Sequence, residues 1–143
     1  MSDELFVDTN VLVYALDESE KQKREIAKRI FGEIAKGEKR GVISNQVLGE
    51  LFFALTQKME NPISGENAQI IVNGLLDSVH WKKINYTAFT ISKAIEASIK
   101  EKNPFWDTLI AETMIENKIF TILTENTKHF RSTHIKGINP FKH

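Results

Sequence analysis

Apolar positions along the chain alternate between short runs and helical spacing. Leu5-Phe6-Val7 is an apolar run that stops at Asp8-Thr9-Asn10, residues that favour turns and helix caps, and it reads as a first strand. Ile26, Ala27, Ile30, Phe31, Ile34 and Ala35 then recur at the helical period, with Lys21, Arg24, Lys28 and Arg29 between them. Gly37 and Gly41 are expected to bracket a turn ahead of a short strand at Val42-Ile43. Ser44 is placed to cap a helix carrying Val47, Leu48, Leu51, Phe52 and Leu55, which Asn61-Pro62 breaks. Ser64 is placed to cap the next helix, with Ala68, Ile71, Leu75 and Val79 on one face. His80 to Ile84 is a strand candidate, and a helix follows from about Tyr86 to Lys100. Asn103-Pro104 reads as a cap followed by proline at the first helical position, opening a helix to about Asn117. Ile119 to Leu123 reads as a buried strand, and the polar remainder has room for one short edge strand.

Strands alternating with helices indicate an α/β domain with a mostly parallel sheet. In such a sheet the carboxyl ends of the strands and the N-termini of the helices share one edge, and ligands bind there. The pattern therefore fixes where chemistry is to be sought.

Composition narrows the class. The chain of 143 residues corresponds to one domain, residues 1–143, with no repeat, linker or low-complexity stretch. Nineteen Lys and Arg balance nineteen Asp and Glu, which excludes a uniformly basic nucleic-acid coat but not local patches. The absence of cysteine excludes thiol catalysis and thiolate metal sites, and it fits a reducing compartment. The acidic start and the shortness of the apolar runs lead to the expectation of a cytoplasmic protein with no membrane span. No phosphate-binding glycine loop or nucleophilic serine elbow is present. His80, His129, His134 and His143 lack zinc spacing, and His129 reads as a loop residue.

Acidic and amide residues fall on the ligand edge. Asp8 follows the first strand; Glu125 and Asn126 follow the strand at Ile119 to Leu123, just beyond Thr124. Asp107 lies in the first turn of its helix, on a stripe with Ile110, Ala111 and Met114, and a carboxylate in an apolar stripe must be paired, protonated or bound to a cation. Glu50 lies about six residues into the helix capped by Ser44, at the rim of its apolar face. Each has a plainer reading: Asp8 as a cap, Asp107 as a helix-dipole partner, Glu50 as a solvated surface residue, Glu125-Asn126 as a turn. What favours a site is that all of them share one edge. Clustered carboxylates with no basic partner in the motif repel one another, and hard divalent cations such as magnesium or manganese relieve this.

Val-Asp-Thr-Asn at 7–10, Glu50 within Val-Leu-Gly-Glu-Leu, Asp107 within Trp-Asp-Thr-Leu-Ile-Ala and Leu-Thr-Glu-Asn-Thr-Lys-His-Phe at 123–130 resemble the motifs of PIN domains, and more specifically those of VapC-type ribonuclease toxins. The resemblance runs from about Leu5 to Phe130. It implies a three-layer α/β/α domain with a central, mostly parallel sheet of about five strands. It also implies a Mg2+-dependent endoribonuclease, with Mn2+ as substitute, in which activated water attacks the phosphodiester and leaves a 5′-phosphate and a 3′-hydroxyl. Under the resemblance Asp8 and Asp107 are the main metal ligands. Glu50 is a ligand through water or an aid to the attacking water, Thr9 and Asn10 support Asp8, and Thr124 shapes the site.

The chain departs from the pattern at position 126, where many relatives carry a further aspartate and this sequence has Asn126 after Glu125. Asparagine brings no charge, so a second metal is in question, as is whether Glu125 turns in to compensate. The same departure keeps open a second class, a catalytically impaired PIN-fold module that binds RNA or protein without cutting. The resemblance further implies a cognate antitoxin and a homodimer, with exposed residues such as Phe53 on those surfaces. Lys21, Arg24, Lys28 and Lys82-Lys83 are candidates to hold an RNA backbone.

Overall fold

The structure, a computed structural model, describes residues 3–131 and 134–142. Among the described residues five strands form one fully parallel sheet: β1 (Glu4–Val7), β2 (Arg40–Ser44), β3 (Trp81–Ile84), β4 (Thr121–Leu123) and β5 (Lys136–Ile138). Their order across the sheet is β3-β2-β1-β4-β5. The central strand is enclosed on both faces, with Phe6 and Val7 wholly buried, which is why it reads as an unbroken apolar run and not as an alternation. Among the described residues six α-helices flank the sheet: α1 (Thr9–Tyr14), α2 (Lys21–Ala35), α3 (Asn45–Phe53), α4 (Gly65–Asp77), α5 (Ala88–Glu101) and α6 (Phe105–Glu116). Helices α1 to α4 pack on one another, and α5 pairs with α6, completing the three-layer α/β/α arrangement. Among the described residues no helix is long and apolar enough to cross a membrane.

The chain winds outward from β1 through β2 to β3, then returns to the other side of β1 for β4 and β5. The sense of winding changes between β1 and β4, and a crevice opens beyond their carboxyl ends. Local sequence sets the elements around it. The Ser44 hydroxyl accepts the Val47 N–H at 3.2 Å to start α3, and Ser64 accepts the Asn67 N–H at 3.1 Å to start α4. Thr87 and Thr90 form a reciprocal cap on α5.

Several local expectations are revised. Gly41 lies inside β2 and not in a turn: a Cβ there would stand 2.6 Å from the Trp81 ring, so the strand pairing of Gly41 with Trp81 requires glycine. Pro104 itself caps α6, because its extended backbone precedes the first helical turn and its carbonyl accepts both the N–H and the hydroxyl of Thr108. Val79 lies beyond the end of α4 and is 90% exposed, so it is not part of the helix's buried face. Ile119 is buried but precedes β4, since its N–H closes back onto the Met114 carbonyl while Lys118 turns with φ of 58°. A π-helical turn, Ala54–Lys58, and a 3₁₀ turn, Thr127–Phe130, carry no periodic signal in the sequence.

Phe31 packs on the Trp81 ring at 5.5 Å between centroids, so the indole cannot retreat from position 41. Gly41→Ala is therefore expected to lower stability by about 1–3 kcal/mol through overpacking, measured by urea unfolding. Wild-type stability in that variant would contradict the packing described.

Candidate active site

Asp8 stands at the crevice because β1 ends one residue before it. Its N–H still belongs to the sheet, donating to the Leu123 carbonyl at 3.0 Å, while its side chain caps α1 by accepting the Thr9 N–H at 2.8 Å. The other carboxylate oxygen accepts the Thr124 hydroxyl at 2.7 Å and, at 3.4 Å, the Asn10 amide. Asp8 is thus both the cap and a site residue, and only 4% of it is exposed. Burial pushes its pKa up to about 6; the bonds from Thr124 and Thr9 oppose this, and the negative charges of Asp107 and Glu50 add to it.

Glu50 projects from the sixth position of α3. One oxygen accepts the Thr9 hydroxyl at 2.9 Å and the other the Gln46 amide at 3.2 Å. That same Gln46 nitrogen donates to the Trp106 carbonyl at 3.0 Å, so a buried amide ties α3 to the first turn of α6. Asp107, third in α6, has its carboxylate against Nδ1 of His129 on the 3₁₀ turn. Asp8, Glu50 and Asp107 line one cavity of about 680 Å³, together with Thr9, Asn10, Tyr14, Phe53, Lys58 and Asn126. The π-helical turn brings Ala54 and Lys58 to its wall, in keeping with the frequent use of such turns at functional sites.

Thr124 holds Asp8 and also accepts the Asn126 N–H at 3.0 Å, while the Asn10 side-chain Oδ1 accepts the Glu125 N–H at 3.3 Å. Thr9, Asn10, Thr124 and Asn126 are accordingly all drawn to the site. Glu125 is not. Its carboxylate turns to α1 and α2, accepting the Tyr14 hydroxyl at 2.7 Å and the Lys23 ammonium at 2.8 Å. Lys23 also lies 4.7 Å over the Tyr14 ring. The hydrogen bond to Glu125, seconded by Tyr14, holds the Lys23 pKa above its ordinary value. Two lysines proposed for RNA are engaged elsewhere: Lys82 pairs with Glu4, and Lys83 donates to the Ser78 and Trp81 carbonyls.

Sequence reasoning missed His129 and Gln46. Gln46 was legible in principle, being four residues before Glu50 on one helix face. His129 carries no such signal, because a 3₁₀ turn and not a regular period delivers it to Asp107.

Among the described residues no three Asp, Glu or His side chains are gathered closely enough to ligate one ion as they stand. The donor set nonetheless suits a hard cation. Magnesium keeps several waters and needs only one or two direct carboxylates, and the cavity is lined by five acidic residues, Asp8, Asp17, Glu50, Glu60 and Asp107, with Lys58 as the one Lys or Arg among the lining residues.

Residues 5–135 match the family model for the PIN domain, and the chain belongs to that family. Its fold is similar to that of Mycobacterium tuberculosis VapC20, described as a sarcin-ricin-loop-cleaving toxin. The two share 21% identity, with 87% of this chain and 92% of that one covered and a TM-score of 0.67. It is also similar to VapBC2 from Rickettsia felis bound to a promoter DNA fragment, at 21% identity, 95% and 98% coverage and a TM-score of 0.67. A toxin–antitoxin complex from Klebsiella pneumoniae matches at 17% identity, 95% and 97% coverage and a TM-score of 0.62. A comparison with curated protein sequences gives no match.

The raised pKa of Asp8 makes a stability prediction. A carboxyl whose folded-state value lies above its unfolded value of 3.8 favours the fold fully below that value, and the contribution is lost as pH rises through about 6. In chelator, Asp8→Asn is expected to be more stable than the wild type above that pH, by up to about 3 kcal/mol, with the gap closing toward pH 4. Thermal melts across this range measure it; a gap independent of pH would show that ionisation of Asp8 is not the cause.

Proposed function

We propose that this protein is a metal-dependent endoribonuclease and the toxin component of a type II toxin–antitoxin pair. The observation that carries the reading is the convergence of Asp8, Glu50 and Asp107, from the cap of α1, the middle of α3 and the first turn of α6, on one open cavity at the β1–β4 crevice. The PIN family and the likeness to toxin structures support it.

Asp8 and Asp107 would hold magnesium, or manganese in its place, and Glu50 would act through water. The bound cation supplies charge stabilisation at a phosphate and a more acidic water. The chain's own residues provide the rest. Asp8 is kept rigid by Thr9 and Thr124, and its burial makes an unneutralised carboxylate unfavourable, which favours a cation beside it. Glu50 is fixed by Thr9 and Gln46 within reach of the same cavity. Lys58, on the wall, is placed to meet a phosphate. An antitoxin partner and a homodimer are part of this proposal; Phe53, 53% exposed at the cavity, and Phe52, 42% exposed, are candidates for those surfaces.

One observation favours the second reading, a non-cutting binding module. The three carboxylates are each bonded to protein partners and are not drawn together as a ligand set.

A single experiment separates the two. Cleavage of a mixed RNA pool is followed with magnesium or manganese and with chelator, for wild type, Asp8→Asn, Asp107→Asn and Glu125→Gln. The nuclease reading predicts metal-dependent cleavage reduced at least about 100-fold in the two aspartate variants, more than loss of an outer-shell partner costs. It predicts little change in Glu125→Gln, whose carboxylate is held by Tyr14 and Lys23. Cleavage that survives both aspartate substitutions would be a contaminant's, and no cleavage together with no metal binding would leave the binding module.

A further inference from the structure

The segment that follows β4 holds both aspartates. Thr124 donates its hydroxyl to Asp8, and five residues later His129 sets Nδ1 against Asp107. Between them the segment is fixed internally: the Asn126 N–H donates to the Thr124 hydroxyl oxygen, and the His129 N–H donates to the Asn126 carbonyl at 2.9 Å. Phe130, 1% exposed, anchors its far end in the core.

The same segment contributes no carboxylate to the cavity. Asn126 is uncharged, and Glu125 is turned away into the Tyr14–Lys23 pair. What it offers the acidic pair is donors at defined positions. Asp8 has several partners besides Thr124, whereas the hydrogen bond described for the Asp107 side chain is the one to His129. A carboxylate on a helix's first turn, free about its side-chain torsions, is held to one orientation by such a partner. A bound cation gains from that restriction because less ordering remains to be done on binding.

We infer that His129 is a positioning residue, whose Nδ1–H fixes the Asp107 carboxylate in the orientation that receives a divalent cation alongside Asp8. This rests on the metal-dependent reading above. The hydrogen bond, not the ring's bulk, carries the effect. Asparagine presents an amide N–H near the place of Nδ1, whereas glutamine places its amide near that of Nε2, so the two substitutions separate the geometry from mere polarity.

The test is Mn2+ affinity by titration calorimetry on the full chain, for wild type, His129→Ala, His129→Asn and His129→Gln, with thermal melts to show that each is folded. His129→Ala and His129→Gln are expected to bind Mn2+ about 10–100-fold more weakly than wild type, and His129→Asn within about threefold of it. Wild-type affinity in the alanine variant overturns the inference and leaves the metal-dependent reading intact. So does an asparagine variant as weak as alanine while all remain folded. A wild type that binds no Mn2+ overturns both.

Discussion

A carboxylate buried at the seam between β1 and β4 is the constraint on which the rest of the site depends. Asp8 is attached to the sheet through its own N–H and to α1 through its side chain, so it cannot leave the seam without unpairing the strand end or uncapping the helix. Its burial raises the cost of its charge, and Asp107 and Glu50 raise it further. The surrounding polar residues answer this cost in a specific way: Thr9 bridges Asp8 and Glu50, Thr124 and Asn10 meet Asp8, Gln46 holds Glu50, and His129 meets Asp107. Each carboxylate is thereby oriented, and none of them except Asp107 has a partner capable of carrying positive charge. Under the proposed reading a cation supplies what the protein withholds.

Topology explains why residues over a hundred positions apart meet. In a parallel sheet with order β3-β2-β1-β4-β5 the reversal of winding lies beside β1, so the residues just past β1 and β4 must share the crevice. Asp8 and Thr124 are those residues. Helix α3 follows β2 directly, which brings Glu50 in from one side, and α6 brings Asp107 from its first turn. The same topology disposes of Lys82 and Lys83: β3 is an edge strand two places from β1, and both ammonium groups are engaged there by Glu4 and by main-chain carbonyls.

The fold was legible wherever a period or a cap operated. The run at Leu5 to Val7, the caps at Ser44 and Ser64, and the stripe of Ile110, Ala111 and Met114 all appear where the pattern puts them. Errors arose where long-range packing overrode local preference. Gly41 is a glycine because of Trp81, forty residues away, and nothing around position 41 says so. Asp8, Glu50 and Asp107 could be placed on the right edge because strand ends and helix starts are readable. The orientation of Glu125 could not, since Asn126 beside it lines the cavity while Glu125 is drawn off by Lys23 from α2 and Tyr14 from α1. His129 escaped for a related reason: its turn is fixed by a buried phenylalanine and a main-chain bond, neither of which has a sequence period.

In the proposed nuclease, Asp8, Glu50 and Asp107 form one cation site. The most direct measurement is anomalous scattering from manganese in crystals of the protein. The expected result is a peak in the cavity shared by the Asp8 and Asp107 carboxylates, with Glu50 facing it across an ordered water. Manganese absent from the cavity, or found only at surface carboxylates elsewhere, would contradict it.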